Sequence, residues 1–350
     1  LKRGIMANQA LTKFEKLVAD SHPRVRLEAV RGVAKIGNTK AAEIALKALD
    51  KEMDRFLDYG LWLAMNELAG PFMSALQAGK FNGSDKQLEF ALASIEPTRT
   101  SRYLSERLKT DGIANDGDGP WIELIGKAGG REELKALFQK AIGGKMTAAA
   151  LARSVAALDH AQRVRRLRPA GSTVGVGKLL NSSNAGIKTA AIKLAGTWKL
   201  GGQIAFLNQA ARDMKTSGTM RGTAINALRE IGGGGAAQAL ASLTKPEVDM
   251  GVRRHSVQAL AALGIHQAVN PFYQILNESK TEESALQLWR GVLPMRNAGN
   301  VLAERVPGKV TAIAARAGMR AAREGGRDDK KLVAALTPHS GLTIKPEEMT

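Results

Sequence analysis

A motif that returns about every 31 residues constrains this chain more than any other feature. Its clearest copy runs from Ser21 to Gly37, SHPRVRLEAVRGVAKIG, with apolar Val30, Val33 and Ile36 at helical spacing beside small Ala29 and Ala34. Pro23 stands where the first turn of a helix tolerates it, and Gly37 supplies a C-terminal stop. With Val30 as the anchor, equivalent positions fall at Trp62, Leu92, Ile122, Leu151, Ile192, Ile225, Val257 and Leu288, in steps of 32, 30, 30, 29, 41, 33, 32 and 31. The copies Gly186 to Ile192, Thr219 to Gly232 and Gly251 to Gly264, anchored at Ile192, Ile225 and Val257, are strong, whereas those at Leu92, Ile122 and Leu151 rest mainly on spacing. A period of this length is the signature of stacked helical hairpins, because one hairpin cannot bury its own apolar face.

Each unit is expected to hold a first helix, such as Ala41 to Leu49, then a turn, then the helix carrying the motif. Turn chemistry falls between them at Gly37-Asn38, Gly70-Pro71, Glu96-Pro97, Gly129-Gly130, Gly201-Gly202, Gly232 to Gly235 and Lys245-Pro246. No segment alternates with a period of two, so no strand is expected. The fold class is therefore all-α, an α-α superhelix of about nine to ten hairpins over residues 1–324, with a cap or linker over 325–350. The 41-residue step is assigned to a basic inter-repeat insertion, an extended loop over residues 159–178.

Composition agrees with thin helical layers. Of the 350 residues 44% are hydrophobic but only 4% aromatic, and a single core seldom grows past roughly 250–300 residues. Trp62, Trp121, Trp198 and Trp289 stand at or near anchors, so packing is their expected role. The absence of cysteine removes disulfides, thiolate nucleophiles and zinc–thiolate sites. No apolar run approaches the roughly 20 residues of a membrane span, and a start at Leu1 without an initiator methionine reads as a piece of a longer protein.

The net charge of +18 is uneven: residues 151–200 carry nine basic side chains and one acidic. Such a field attracts an acidic protein or a polyanion. Within it Arg163, Arg165, Arg166 and Arg168 form the densest cluster, able in principle to grip phosphates or an acidic neighbour. Arg26, Lys188, Arg221 and Arg253 each stand four residues before an anchor, on the same helix face, so they are expected inside the packed seam rather than on a ladder of ligands. Exposed positions one and five after the anchor place Arg31, Lys35 and Lys193 among the candidate partner-binding residues.

Catalytic patterns are incomplete. Gly171 to Leu179 superficially resembles a phosphate-binding loop, but five residues separate Gly171 from Gly177, and Leu179 replaces the magnesium-holding hydroxyl. Asn115 to Gly119 lacks the later bidentate glutamate of a calcium loop and reads as an interhelical turn. The five histidines show no metal-ligand spacing, and no Gly-x-Ser-x-Gly elbow occurs. No catalytic, cofactor-binding or metal residue is assigned, and no cofactor is expected.

Asp20-x-x-Pro23-x-Val25-Arg26-x-x-Ala29 to Gly37 resembles HEAT repeats of the phycobilin-lyase-like type. Leu57 to Ala69, LDYGLWLAMNELA, together with His22 to Ala29 and Leu194 to Leu200, looks like the HEAT region of large exported bacterial proteins, the PVC-type haem-binding proteins or putative membrane-bound dehydrogenases. In that family a dehydrogenase-like propeller precedes the helical array and a c-type cytochrome follows it. The resemblance implies a non-catalytic spacer that docks those domains, with periplasmic or cell-surface placement. The family's redox residues have no counterpart here, and none of the histidines is followed by glutamate, so the His-Glu pairs of HEAT-repeat iron hydroxylases are missing. A second reading is a basic nucleic-acid-binding array, similar to the HEAT-fold DNA glycosylases.

Overall fold

The computed structural model describes residues 2–324 and 329–342, and side chains from residue 9 onward. Among these residues every regular element is helical. The first unit, residues 1–187, contains α1 (Lys2–Val18), α2 (Pro23–Ala34), α3 (Thr39–Leu46), α4 (Arg55–Glu67), α5 (Ala69–Gln77), α6 (Asp85–Ser94), α7 (Pro97–Thr110), α8 (Trp121–Ala128), α9 (Arg131–Ile142), α10 (Ala148–Arg165) and α11 (Val176–Leu180). After α12 (Ala185–Thr197), the second unit, residues 188–350, contains α13 (Ile204–Arg212), α14 (Gly218–Ile231), α15 (Gly233–Ser242), α16 (Met250–Leu263), α17 (Ile265–Asn277), α18 (Glu282–Val292), α19 (Ala298–Glu304), α20 (Ala312–Ala321) and α21 (Lys330–Leu336).

The even-numbered helices carry the motif. Each unit is a stack of hairpins in two layers. In the first, α2 packs on α4, α4 on α6, α6 on α8 and α8 on α10, while α1, α3 and α5 form a neighbouring row, as do α7, α9 and α11. In the second, α14, α16, α18 and α20 make one layer and α13, α15, α17, α19 and α21 the other. The chain is thus an all-α, HEAT-like array of helical hairpins.

Local chemistry starts most of the motif helices, α8 after Pro120 being an exception without a side-chain cap. His22, Asp54, Ser84, Thr147, Ser217, Asp249, Thr281 and Thr311 all accept a hydrogen bond from a first-turn amide, which satisfies donors the helix itself cannot. These caps repeat with the same period as the apolar anchors. Val30, Leu92, Ile122, Ile192, Ile225, Val257 and Leu288 are buried, as spacing predicts.

Three expectations change. Trp62 lies on the surface, and its neighbour Leu61 fills the core position. Leu151 is half-buried, while Val155, one turn on, is enclosed. The loop drawn over residues 159–178 shrinks to 166–175: α10 continues to Arg165, and α11 begins at Val176. The Ala-rich start of α10 favours propagation, and arginines in its last turn suit the negative end of the helix dipole. In the segment drawn as cap or linker, α21 packs on α19 and α20, whereas residues 325–328 and 343–350 lie outside the described residues.

Candidate functional site

The four clustered arginines do not converge. Arg163 Nε donates to both carboxylate oxygens of Asp159, one turn back, at 3.0 and 3.1 Å. Arg165 reaches across to the end of α8 and donates to the carbonyls of Gly126 (3.2 Å) and Gly129 (2.8 Å). These two bonds cap the end of α8 with charge, while partial burial lowers the guanidinium pKa. Arg166 occupies the left-handed C-cap of α10, with φ of 57°, and its exposed side chain makes no ion pair among the described residues. Arg168 Nε donates to Gln162 Oε1 at 3.1 Å.

The other candidates are dispersed too. Arg31 pairs with Glu28 (2.9 Å) along α2, both side chains well exposed. Lys35 reaches to the end of α4 and pairs with Glu67 at 2.8 Å. Lys193 is exposed on α12, where its carbonyl accepts from Thr197 Oγ1. Within the first unit the structure brings Arg31, Lys35 and the four clustered arginines into no single basic site.

Of the cations four before the anchors, Arg26 and Arg253 bond across to another repeat. Arg26, buried, donates to the carbonyls of Asp20 (3.0 Å) and Ser21 (3.2 Å), and across to Glu52 of the next repeat. Arg253 is equally enclosed, and Arg221 donates to the Thr216 carbonyl. Lys188 instead lies 5.7 Å from the centre of the Phe206 ring, at the edge of cation–π range. The Asn115–Gly119 turn is committed in the same way: Arg153 donates to the carbonyls of Gly117 (2.9 Å) and Gly119 (3.3 Å) while gripping Glu123 at 2.6 and 2.7 Å. That hydrogen-bonded guanidinium holds the Glu123 carboxyl below its ordinary range.

What the spacing missed is the outer face of α4. Leu57, Gly60, Leu61, Ala64 and Met65 point inward and complete a core stripe. Phe56, Tyr59, Trp62 and Leu63 are then left on the solvent side, 59%, 61%, 41% and 42% exposed. The Tyr59 and Trp62 rings stack with centroids 5.8 Å apart and planes 13° apart, and the Arg55 guanidinium sits 4.6 Å over the Phe56 ring. Beside Phe56 a hollow of about 440 Å³ is lined by His22, Pro23, Arg24, Leu27 and Asp54. A second, of about 550 Å³, lies at the same end of α2 and is lined by Ser21, Pro23, Arg26, Lys51, Glu52, Met53 and Asp54. The signal was present in the sequence: RFLDYGLWLAMNE offers apolar side chains around most of the helix, more than one buried face can absorb.

Among the described residues no group of three or more His, Asp or Glu is arranged to hold a metal ion, and no helix is long and apolar enough to cross a membrane. No family model matches the chain, and no curated protein matches its sequence. Solved structures similar to it include Kap121p, at 11% identity with a TM-score of 0.46, over 95% of this chain and 42% of that one. A mutant of Kap121p gives 13% identity and 0.42, over 95% and 39%. Human deoxyhypusine hydroxylase in complex with glycerol gives 15% identity and 0.24, over 96% of this chain and 98% of that one. The chain thus spans about two fifths of the length of the Kap121p chains.

Proposed function

We propose that this array is a non-catalytic docking scaffold for protein partners. The observation that carries the reading is the outer face of α4, where four large apolar side chains face solvent on one helix, whereas the other exposed ones, Leu17, Val164, Val174, Met214 and Leu342, come from five different segments. The polar side chains that could have formed a reaction centre are instead engaged in capping helices and linking consecutive repeats. Lys35 to Glu67, Arg153 to Glu123 and Arg290 to Glu324 are such links.

The finer proposal follows the family resemblance: the array spaces and docks a dehydrogenase-like propeller and a c-type cytochrome. The test is to mix the 350-residue chain with the neighbouring domains of its full-length gene product. Association that weakens with salt is expected, because the chain carries +18. No association at low salt would overturn the reading.

A basic nucleic-acid-binding array is the second reading, favoured by the nine-to-one basic excess over residues 151–200. It calls for duplex DNA binding that weakens steeply between low and physiological salt. No binding at about 50 mM salt would eliminate it.

A further inference from the structure

We infer that the outer face of α4, with the adjoining edge of α2, is a binding groove for an acidic polypeptide segment with apolar anchors. This rests on the docking-scaffold reading and names its surface and the chemistry of its partner.

Comparison among repeats isolates the feature. In α2 the residues two before and one after the buried anchor Val30 are Glu28 and Arg31; around Ile225 of α14 they are Thr223 and Asn226; around Val257 of α16, His255 and Gln258. All six are polar or charged, with Thr223, Asn226, His255 and Gln258 half-buried against neighbouring repeats. Around Leu61 of α4 they are Tyr59 and Trp62, with Phe56 and Leu63 on the same side. The next motif helix, α6, continues the apolar character with half-buried Phe90 two before Leu92. Phe56, Tyr59 and Leu63 follow i, i+3, i+7 spacing, the arrangement by which one helix packs on another.

Charge selects the occupant. At the end of the groove near Phe56, Arg24 and Arg55 make no ion pair among the described residues, nor does Lys51 beside the second hollow. Of the carboxylates around them, Asp54 is committed to the amides of Phe56 and Leu57, both at 2.8 Å, and Asp50 accepts from Gln87, while Glu52 shares the second hollow with Lys51. The groove therefore offers unpaired cations next to an apolar floor. A second copy of the chain brings another +18 and is repelled. A single-stranded nucleic acid would find aromatic rings to stack on, but its phosphates would run past Asp58, Glu28 and Glu67 on the same face. A polypeptide whose acidic residues gather at one end meets neither obstacle.

The test uses the whole 350-residue chain and two short helix-forming peptides with leucines at i, i+3 and i+7. One carries glutamates at one end and its twin carries lysines there; oligo(dT) is the third probe. Trp198 and Trp289 are buried and Trp121 is half-buried, so Trp62 is the well-exposed emitter, and Trp62→Phe assigns its signal. The glutamate peptide is expected to shift Trp62 emission to the blue and to bind about tenfold or more tighter than its twin at low salt. Phe56→Ser with Leu63→Ser is expected to weaken binding about tenfold with an unchanged thermal melt, because both side chains are already exposed. Arg24→Glu with Arg55→Glu is expected to reverse the preference between the peptides.

Equal binding of both peptides, unchanged affinity in the Phe56/Leu63 variant, tighter Trp62-centred binding of oligo(dT), or self-association through Phe56 and Leu63 would each overturn the inference. The two readings fail separately. Neighbouring domains that bind wild type and the Phe56/Leu63 variant alike would leave the scaffold standing and remove this face. Peptide binding at the face without any domain association would do the reverse to the propeller–cytochrome proposal.

Discussion

Arg253 and Glu278 form a two-pronged pair in which Nη1 and Nη2 of a guanidinium only 3% exposed donate to the two carboxylate oxygens at 2.6 and 2.7 Å. Its Nε donates to the Thr244 carbonyl at 3.1 Å. The parallel geometry of guanidinium and carboxylate makes this stronger than a single contact. Replacing Arg253 by methionine keeps much of the volume and removes all three bonds. The expected loss is on the order of 2 kcal/mol, since buried acceptors are left unmet and Glu278 is partly solvated. Urea unfolding followed by circular dichroism should show the midpoint fall; an unmoved curve would refute the assignment.

The same pair sets an acid limit. The hydrogen bond from Arg253 is the main cause that holds the Glu278 carboxyl below its ordinary value of 4.5. Below 4.5 the unfolded chain takes up a proton that the folded chain still refuses, so stability falls as pH drops toward the folded pKa. Above 4.5 the contribution is fully present. Glu278→Gln should be less stable than wild type at neutral pH and show a shallower decline from pH 5 to 3. Parallel acid profiles for the two proteins would contradict this.

Gly126 of α8 lies against Ala157 of α10 so closely that an added Cβ would stand 2.9 Å from the Ala157 carbonyl oxygen and 3.0 Å from its Cα. Backbone cannot step aside as a side-chain tip can. Gly126→Ala should therefore destabilise by about 1–3 kcal/mol even though alanine is the better helix former. Gly70 in α5 has nothing within 4 Å of such a Cβ, so Gly70→Ala should be neutral or stabilising by up to about 1 kcal/mol. Melting temperatures of the two variants, expected to move in opposite directions or by clearly different amounts, provide the check.

Within the arginine cluster, position 165 should matter for stability and position 166 should not. Arg165→Ala removes two charge-assisted bonds to the end of α8, an expected cost of about 1–2 kcal/mol. Arg166→Ala should stay within about 0.5 kcal/mol of wild type, because that side chain is exposed and without an ion pair. Gel-shift titration with duplex DNA at low salt adds a functional readout. A loss of DNA binding in Arg166→Ala would favour the nucleic-acid reading.

The hairpin architecture was legible because two signals share one period: apolar anchors such as Val30, Ile225 and Val257, and turn residues such as Gly37-Asn38, Gly70-Pro71 and Gly201-Gly202. The register of α4 was not, because Leu61 and Trp62 are adjacent and either could serve as anchor when a helix is apolar around most of its circumference. Spacing preferred the residue 32 after Val30; packing chose the one 31 after it. The arginine cluster misled for a different reason. Charge density in sequence says nothing of direction, and the last turn of α10 points Arg163 back to Asp159 while sending Arg165 to α8.

The cross-repeat pairs carry a last consequence. Lys35 finds Glu67, Arg153 finds Glu123, Arg290 finds Glu324, and Tyr273 donates to the Leu302 carbonyl, each partner about one period away along the chain. Removing or duplicating a segment of one full period keeps motif helix facing motif helix, although these pairs differ from repeat to repeat, whereas any other length turns the apolar stripe out of the stack. The chain behaves like a tape with sprocket holes: its reach can be altered by gene duplication or by design, but only in whole-number steps.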